Sequence, residues 1–173
     1  MKLKFILLIA LLGFVSNGLF AQQESADTIL KEAFAEAKKE NKNVMIIFKA
    51  SWCGWCKRMI ANVNNESVRD LFDRNYVIRE LDVMERTDKK ELENPGALAL
   101  LQQYKADKSG IPFFLIYDAE GKLLTNGFDD NGQNLGCPAS KEEVTVFTEK
   151  LKNTSDLTDE ELTAIAEVFI LKE

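Results

Sequence analysis

The 173-residue chain contains no histidine, which removes Cys-His hydrolases, imidazole acid/base catalysis and most zinc sites in one step. Its three cysteines are too few for a disulfide scaffold. A basic stripe is also missing. The net charge is -6, and with no stripe to release counterions from nucleic acid, nucleic acid is not an expected partner. Glycine-rich phosphate loops are absent, and with them any nucleotide- or flavin-binding signature. Repeats and low-complexity segments are lacking too. No cofactor is expected.

The N-terminus carries one notable apolar run, Phe5 to Leu12, too short for a comfortable membrane span. Lys2 and Lys4 precede it, and Leu19-Phe20-Ala21 offers an imperfect cleavage site, so residues 1–21 read as a secretory signal. No cysteine follows closely enough to suggest lipid attachment. Removing the segment leaves residues 22–173, one domain's worth of chain, more acidic than the whole and without a membrane span. The expected location is periplasmic or secreted, where the medium permits disulfides.

Within that domain, apolar residues at helical spacing predict a helix over residues 25–40, ended by Asn41-Lys42-Asn43. The run 44–49 is short and apolar and predicts a buried strand. A helix begins near Cys53 and continues through Met59, Ile60 and Val63, with a second piece through Val68, Leu71 and Phe72. Residues 76–83 alternate enough for a strand. Residues 85–94 are mostly charged and read as a solvated loop or helix start. Pro95-Gly96 opens a helix, Phe113 to Tyr117 is a second apolar strand, and 123–125 returns as its hairpin partner after a turn at Gly121. A polar, glycine-rich loop occupies 126–136. Ser140-Lys141-Glu142-Glu143 and Thr158-Asp159-Glu160-Glu161 are capping boxes, the second flanked by Leu157 and Leu162 as a hydrophobic staple. The element order predicts an α/β sandwich with a mixed central sheet.

The chemistry sits in Trp52-Cys53-Gly54-Trp55-Cys56-Lys57, directly after the first strand. Cysteines three apart where a helix begins lie on one face, close enough to open and close a disulfide. Cys53, at the helix start, meets unpaired backbone N–H groups and the positive end of the dipole, which favour its thiolate. Lys49, Lys57 and Arg58 are near in sequence and add positive charge. Cys53 is therefore the candidate nucleophile and Cys56 the resolving thiol. An inert disulfide is the first alternative, but so short a loop constrains the unfolded chain little. Half of a metal site is the second, yet no further Cys-x-x-Cys or histidine completes four ligands; a Cu(I) carrier using both thiolates stays open. Trp52 is expected to pack beside the motif, and Trp55 to offer apolar surface to a substrate or to do nothing. Cys137 is either a buried idle thiol or a third redox partner.

Ala50 to Lys57 after an apolar strand, with Ser109-Gly110-Ile111-Pro112-Phe113 and the Gly121 turn downstream, resembles the thioredoxin superfamily, and within it the small exported bacterial members. The resemblance covers about residues 29–152 and implies a thioredoxin fold with added N-terminal and C-terminal helices, the latter over 158–171. It implies that Pro112 is the family's cis-proline, where the residues alone suggest an ordinary trans proline, and that the Ile111 backbone pairs with an extended substrate segment. Trp52, Trp55, Ile111 and Pro112 are thus the expected substrate-binding residues. Two departures stand out: the buried acid of thioredoxin falls at Ile47, leaving a relay to Lys49, Asp82 or water, and Gly54-Trp55 replaces Gly-Pro. The expected activity is thiol-disulfide exchange with exported proteins, in the reducing direction, fed by a membrane-side electron donor. A disulfide-forming oxidase and a binding module without turnover remain as alternatives.

Overall fold

In the computed structural model, which describes residues 23–171, the Ser25 hydroxyl accepts from the Thr28 backbone N–H and starts the first helix. The predicted signal lies outside the described residues. Helix α1 (Ala26–Glu40) stops where Asn41 turns left-handed at φ 55°, a conformation asparagine tolerates better than most residues. Strand β1 (Asn43–Lys49) follows, with Val44 to Phe48 all buried, the pattern of a strand covered on both faces.

After it come α2 (Gly54–Val63), α3 (Arg69–Asn75), β2 (Tyr76–Asp82), a 3₁₀ helix (Thr87–Leu92) and α4 (Ala97–Gln103). The chain continues through β3 (Phe113–Tyr117), β4 (Leu123–Asn126), α5 (Lys141–Lys152) and α6 (Asp159–Phe169). Both capping boxes form: the Ser140 and Thr158 hydroxyls accept from the N–H groups of Glu143 and Glu161, whose carboxylates reach back.

The four strands are ordered β2-β1-β3-β4, with β1 parallel to β2 and antiparallel to β3, and β3 antiparallel to β4. Alternation along the strands divides the core in two. Met45, Ile47, Phe114 and Ile116 face α2, α3, α5 and α6 through Met59, Phe72, Phe147 and Phe169. Val44, Ile46, Phe48, Phe113 and Leu115 face α1 and α4 through Ala33, Ala37 and Leu101. The sheet is therefore a mixed layer between two helical layers, and the β1–α2 turn emerges at one end of a fully buried central strand.

The segment 85–94 departs from a simple solvated loop. Its middle is exposed, but Glu85 and Asn94 at its ends are buried. The Asn94 side chain accepts from Asp82 N–H at 2.7 Å and donates to the Glu24 carbonyl at 2.8 Å, tying the stretch to both β2 and the start of α1.

Candidate active site

Strand β1 delivers the chain into the Ala50–Cys53 turn, closed by a bond from Cys53 N–H to the Ala50 carbonyl at 3.0 Å. Cys53 is the N-cap of α2, and its sulfur accepts from the Cys56 N–H at 3.1 Å. A cap normally uses oxygen for this; here one of the helix's orphan donors is aimed at sulfur. Cys53 and Cys56 form a disulfide, with Cα atoms 5.2 Å apart. Both are buried, at 4% and 1% exposure, Cys53 being the less enclosed of the two.

The loop before β3 supplies the opposite wall. The Ile111–Pro112 peptide is cis, the isomer implied by the resemblance. The Ile111 carbonyl oxygen lies 3.6 Å from Cys53 Sγ, and Ile111 packs against Ala50, Cys53 and Cys56. In the disulfide this sulfur has no proton to give, so the approach is a contact; a reduced Cys53 thiol could donate across it. Pro112 itself is buried.

Trp52 and Trp55 flank the pair at 45% and 51% exposure. Trp52 is anchored, its indole N–H donating to the Met84 carbonyl at 2.8 Å. The Arg58 guanidinium lies 6.0 Å from the centre of the Trp55 ring, within reach of a cation–π attraction. Two large apolar rings thus stand half in solvent on residues adjoining the sulfur pair in the chain.

Charge around the site is arranged differently from the sequence-based expectation. Lys49 is engaged, donating to Asp82 at 2.9 Å with Glu80 at 3.4 Å. Burial lowers its ammonium pKa, but those two carboxylates outweigh it and hold the group above its ordinary value. Ile47 lies in the apolar core beside Met59, so no acid stands beneath the sulfurs at that position. Cys137 is buried as a free thiol.

Two side chains that the sequence reading passed over frame the site. Glu85 accepts from both the Ser51 N–H and, at 2.8 Å, the Ser51 hydroxyl. Burial pushes its carboxyl up, but these bonds outweigh that effect, with Lys89 and Lys49 assisting, and hold it below the ordinary carboxylate value. Asn134 directs its amide nitrogen at the carbonyls of Ser109, Gly110 and Pro112, at 3.3, 3.0 and 3.0 Å. Its side-chain oxygen accepts from Gly136 N–H at 3.0 Å. One side chain therefore grips both sides of the cis-proline loop.

Among the described residues, no group of three or more His, Cys, Asp or Glu side chains is placed to hold a metal ion. No described helix is long and apolar enough to cross a membrane.

A family model described as thioredoxin-like matches residues 26–119. No curated protein is similar enough to match. Among solved structures, the disulphide isomerase from Xylella fastidiosa Temecula1 is 19% identical over 87% of this chain and 93% of its own, with a TM-score of 0.52. The C-terminal domain of Neisseria meningitidis DsbD is 26% identical in its oxidised form, over 60% of this chain and 84% of its own, with a TM-score of 0.42. Its reduced form is 28% identical over the same shares, again with a TM-score of 0.42. The family match, with the first of these structures, gives the fold as the thioredoxin-like one: a mixed four-stranded sheet flanked by helices, with extra helices at the ends.

Proposed function

The chain belongs to the thioredoxin-like family, and from that premise we propose that it is a protein-disulfide oxidoreductase whose Cys53–Cys56 pair reduces disulfides in exported proteins. The observation that carries the assignment of roles is the aim of the Cys56 N–H at Cys53 Sγ. A donor fixed on that sulfur stabilises negative charge there once the disulfide opens.

Cys53 thiolate attacks one sulfur of the substrate disulfide. A Cys53–substrate disulfide forms and one substrate thiolate leaves, taking a proton from solvent. Cys56 then attacks Cys53 Sγ, the Cys53–Cys56 bond forms, and the second substrate thiol departs. The substrate gains two electrons and the pair loses two, so turnover requires a dithiol donor, which we assign to the membrane side. Trp52 and Trp55 offer apolar contact to the substrate, and the backbone of Ile111 beside Pro112 pairs with its extended segment. Isoleucine before the proline resembles the reducing members and supports this direction. Residues 1–21, read as a signal, support a periplasmic or secreted location.

A protein-disulfide reduction assay tests the roles. Wild type turns over with a chemical dithiol, Cys53→Ser loses activity by at least about 100-fold, and Cys56→Ser accumulates the mixed disulfide. Full activity in Cys53→Ser would remove the reading. Equilibration with glutathione tests the direction: a potential near about -270 mV supports a reductant, while one near about -120 mV would mark an oxidase.

A further inference from the structure

Val83, Met84 and Glu85, the three residues following β2, form a backing strip for the redox turn. Val83 N–H donates to the Lys49 carbonyl at 2.8 Å, the Met84 carbonyl holds the Trp52 indole at 2.8 Å, and both Glu85 carboxylate oxygens hold Ser51. The strip is itself fixed from behind, because Glu85 N–H donates to the Glu93 carboxylate at 2.7 Å, which also binds Lys90 at 2.7 Å. Glu85 is only 4% exposed and is the one charged residue of the buried set among the described residues. A carboxylate is costly to bury, and far fewer atoms would suffice to brace a turn.

We propose that Glu85 is a positioning residue of the redox pair, holding the Ser51–Cys53 turn in place while its buried negative charge strengthens the pair as an electron donor. The inference rests on the oxidoreductase reading above.

The charge acts on one side of a balanced exchange. The disulfide plus two glutathione thiols gives the dithiol plus glutathione disulfide, two electrons and two protons entering the pair. Above the titration of Cys53 the reduced form carries a thiolate, favoured by the α2 N-terminus and disfavoured by an anion behind the turn. Disfavouring the reduced form makes it release its electrons more readily. The other charges facing this region offset the effect only in part: Lys49 is bound by Asp82 and Glu80, Arg58 lies over Trp55, Lys57 is exposed, and Lys89 acts on Glu85 from an exposed position. Glu93 contributes a further negative charge through Glu85 N–H. Ile47 adds none from beneath.

Glu85→Gln separates charge from bracing. Its amide carbonyl accepts from Ser51 N–H and its NH₂ donates to the Ser51 hydroxyl oxygen, so the bridge survives and the charge does not. Thiolate absorbance and alkylation rate across pH should show the Cys53 titration moving to lower pH. Equilibrium with glutathione at a pH above that titration should move toward the dithiol by about three- to tenfold. A purely structural role predicts no change, since the bridge survives; that result, or a rise in the titration from a loosened turn that loses the Cys56 N–H contact, overturns the proposal. Lys89→Gln is the companion variant, removing an exposed cation that offsets Glu85, and should raise the titration. If Glu85→Gln does not fold, Lys89→Gln decides alone, an unchanged or lowered titration counting against the proposal. A wild type inactive toward protein disulfides would defeat the oxidoreductase reading instead, leaving the two failures distinguishable.

Discussion

Burial pushes the Cys137 thiol up to about 11, the Arg58 cation pulling it back only in part and Glu143 adding to the rise, so at neutral pH it stays protonated. A protonated, enclosed thiol is a poor nucleophile. Native protein reduced and treated with iodoacetamide at pH 8 should therefore be modified at Cys53 and spared at Cys137, while denatured protein reacts at both; peptide mass mapping reads the outcome. The same raised value has a stability consequence. The folded state favours the neutral thiol, so the contribution is whole below the unfolded thiol's ordinary range and is lost as pH rises toward 11. Cys137→Ala should flatten that alkaline loss in urea titrations. Residues of this kind differ in how visible they are beforehand. Cys53 and Cys56 announce themselves by spacing alone. Glu85 sits in a charged stretch where every neighbour looks equally solvated, and its partner, Ser51, is 34 residues away. Only the register of β1 against β2, which pairs Lys49 with Asp82, brings the two together.

Among elements, the loop after β4 carries more of the site than its composition suggests. Gly127 lies against Phe113, where an added Cβ would meet ring carbon Cδ2 at 3.0 Å and Asn134 Oδ1 at 3.2 Å. That close approach lets Asn134 reach the three carbonyls around Ile111. Asn134→Ala should cost about 1–3 kcal/mol by denaturant unfolding, because carbonyls that shared one amide lose it. It should also slow reduction of a protein disulfide more than that of a small aromatic disulfide, which needs no extended backbone contact. Equal slowing of both would confine Asn134 to stability. Gly127→Ala tests the same approach from the other side, with an expected loss of about 1–3 kcal/mol from overpacking. The helices and strands flanking this loop were readable, since periodicity and capping boxes are local signals. The loop was readable only as polar and glycine-rich, because its meaning lies in residues 109–112.

For the whole molecule, α6 closes the core on the face of the sheet that lies behind α2. The Phe169 ring packs 4.9 Å from Phe147 and 6.4 Å from Phe72, centre to centre, and its carbonyl accepts from Arg58 at 3.3 Å. This added helix is therefore integral to the domain and reaches the redox helix directly. Phe169→Ala should lower stability by about 3–5 kcal/mol, read by far-ultraviolet circular dichroism during urea unfolding; a loss below about 1 kcal/mol would mean that α6 docks only peripherally. Its stripe and capping box made it legible, whereas its tie to Arg58 was not, being a contact between residues 111 positions apart. The chain has two tryptophans, both half in solvent and both beside the disulfide, so intrinsic emission reports the sulfur pair and hardly the core. Opening the disulfide should relieve quenching of the indoles and brighten the emission, while unfolding should shift its wavelength little, giving the protein a built-in optical gauge of its own electron inventory.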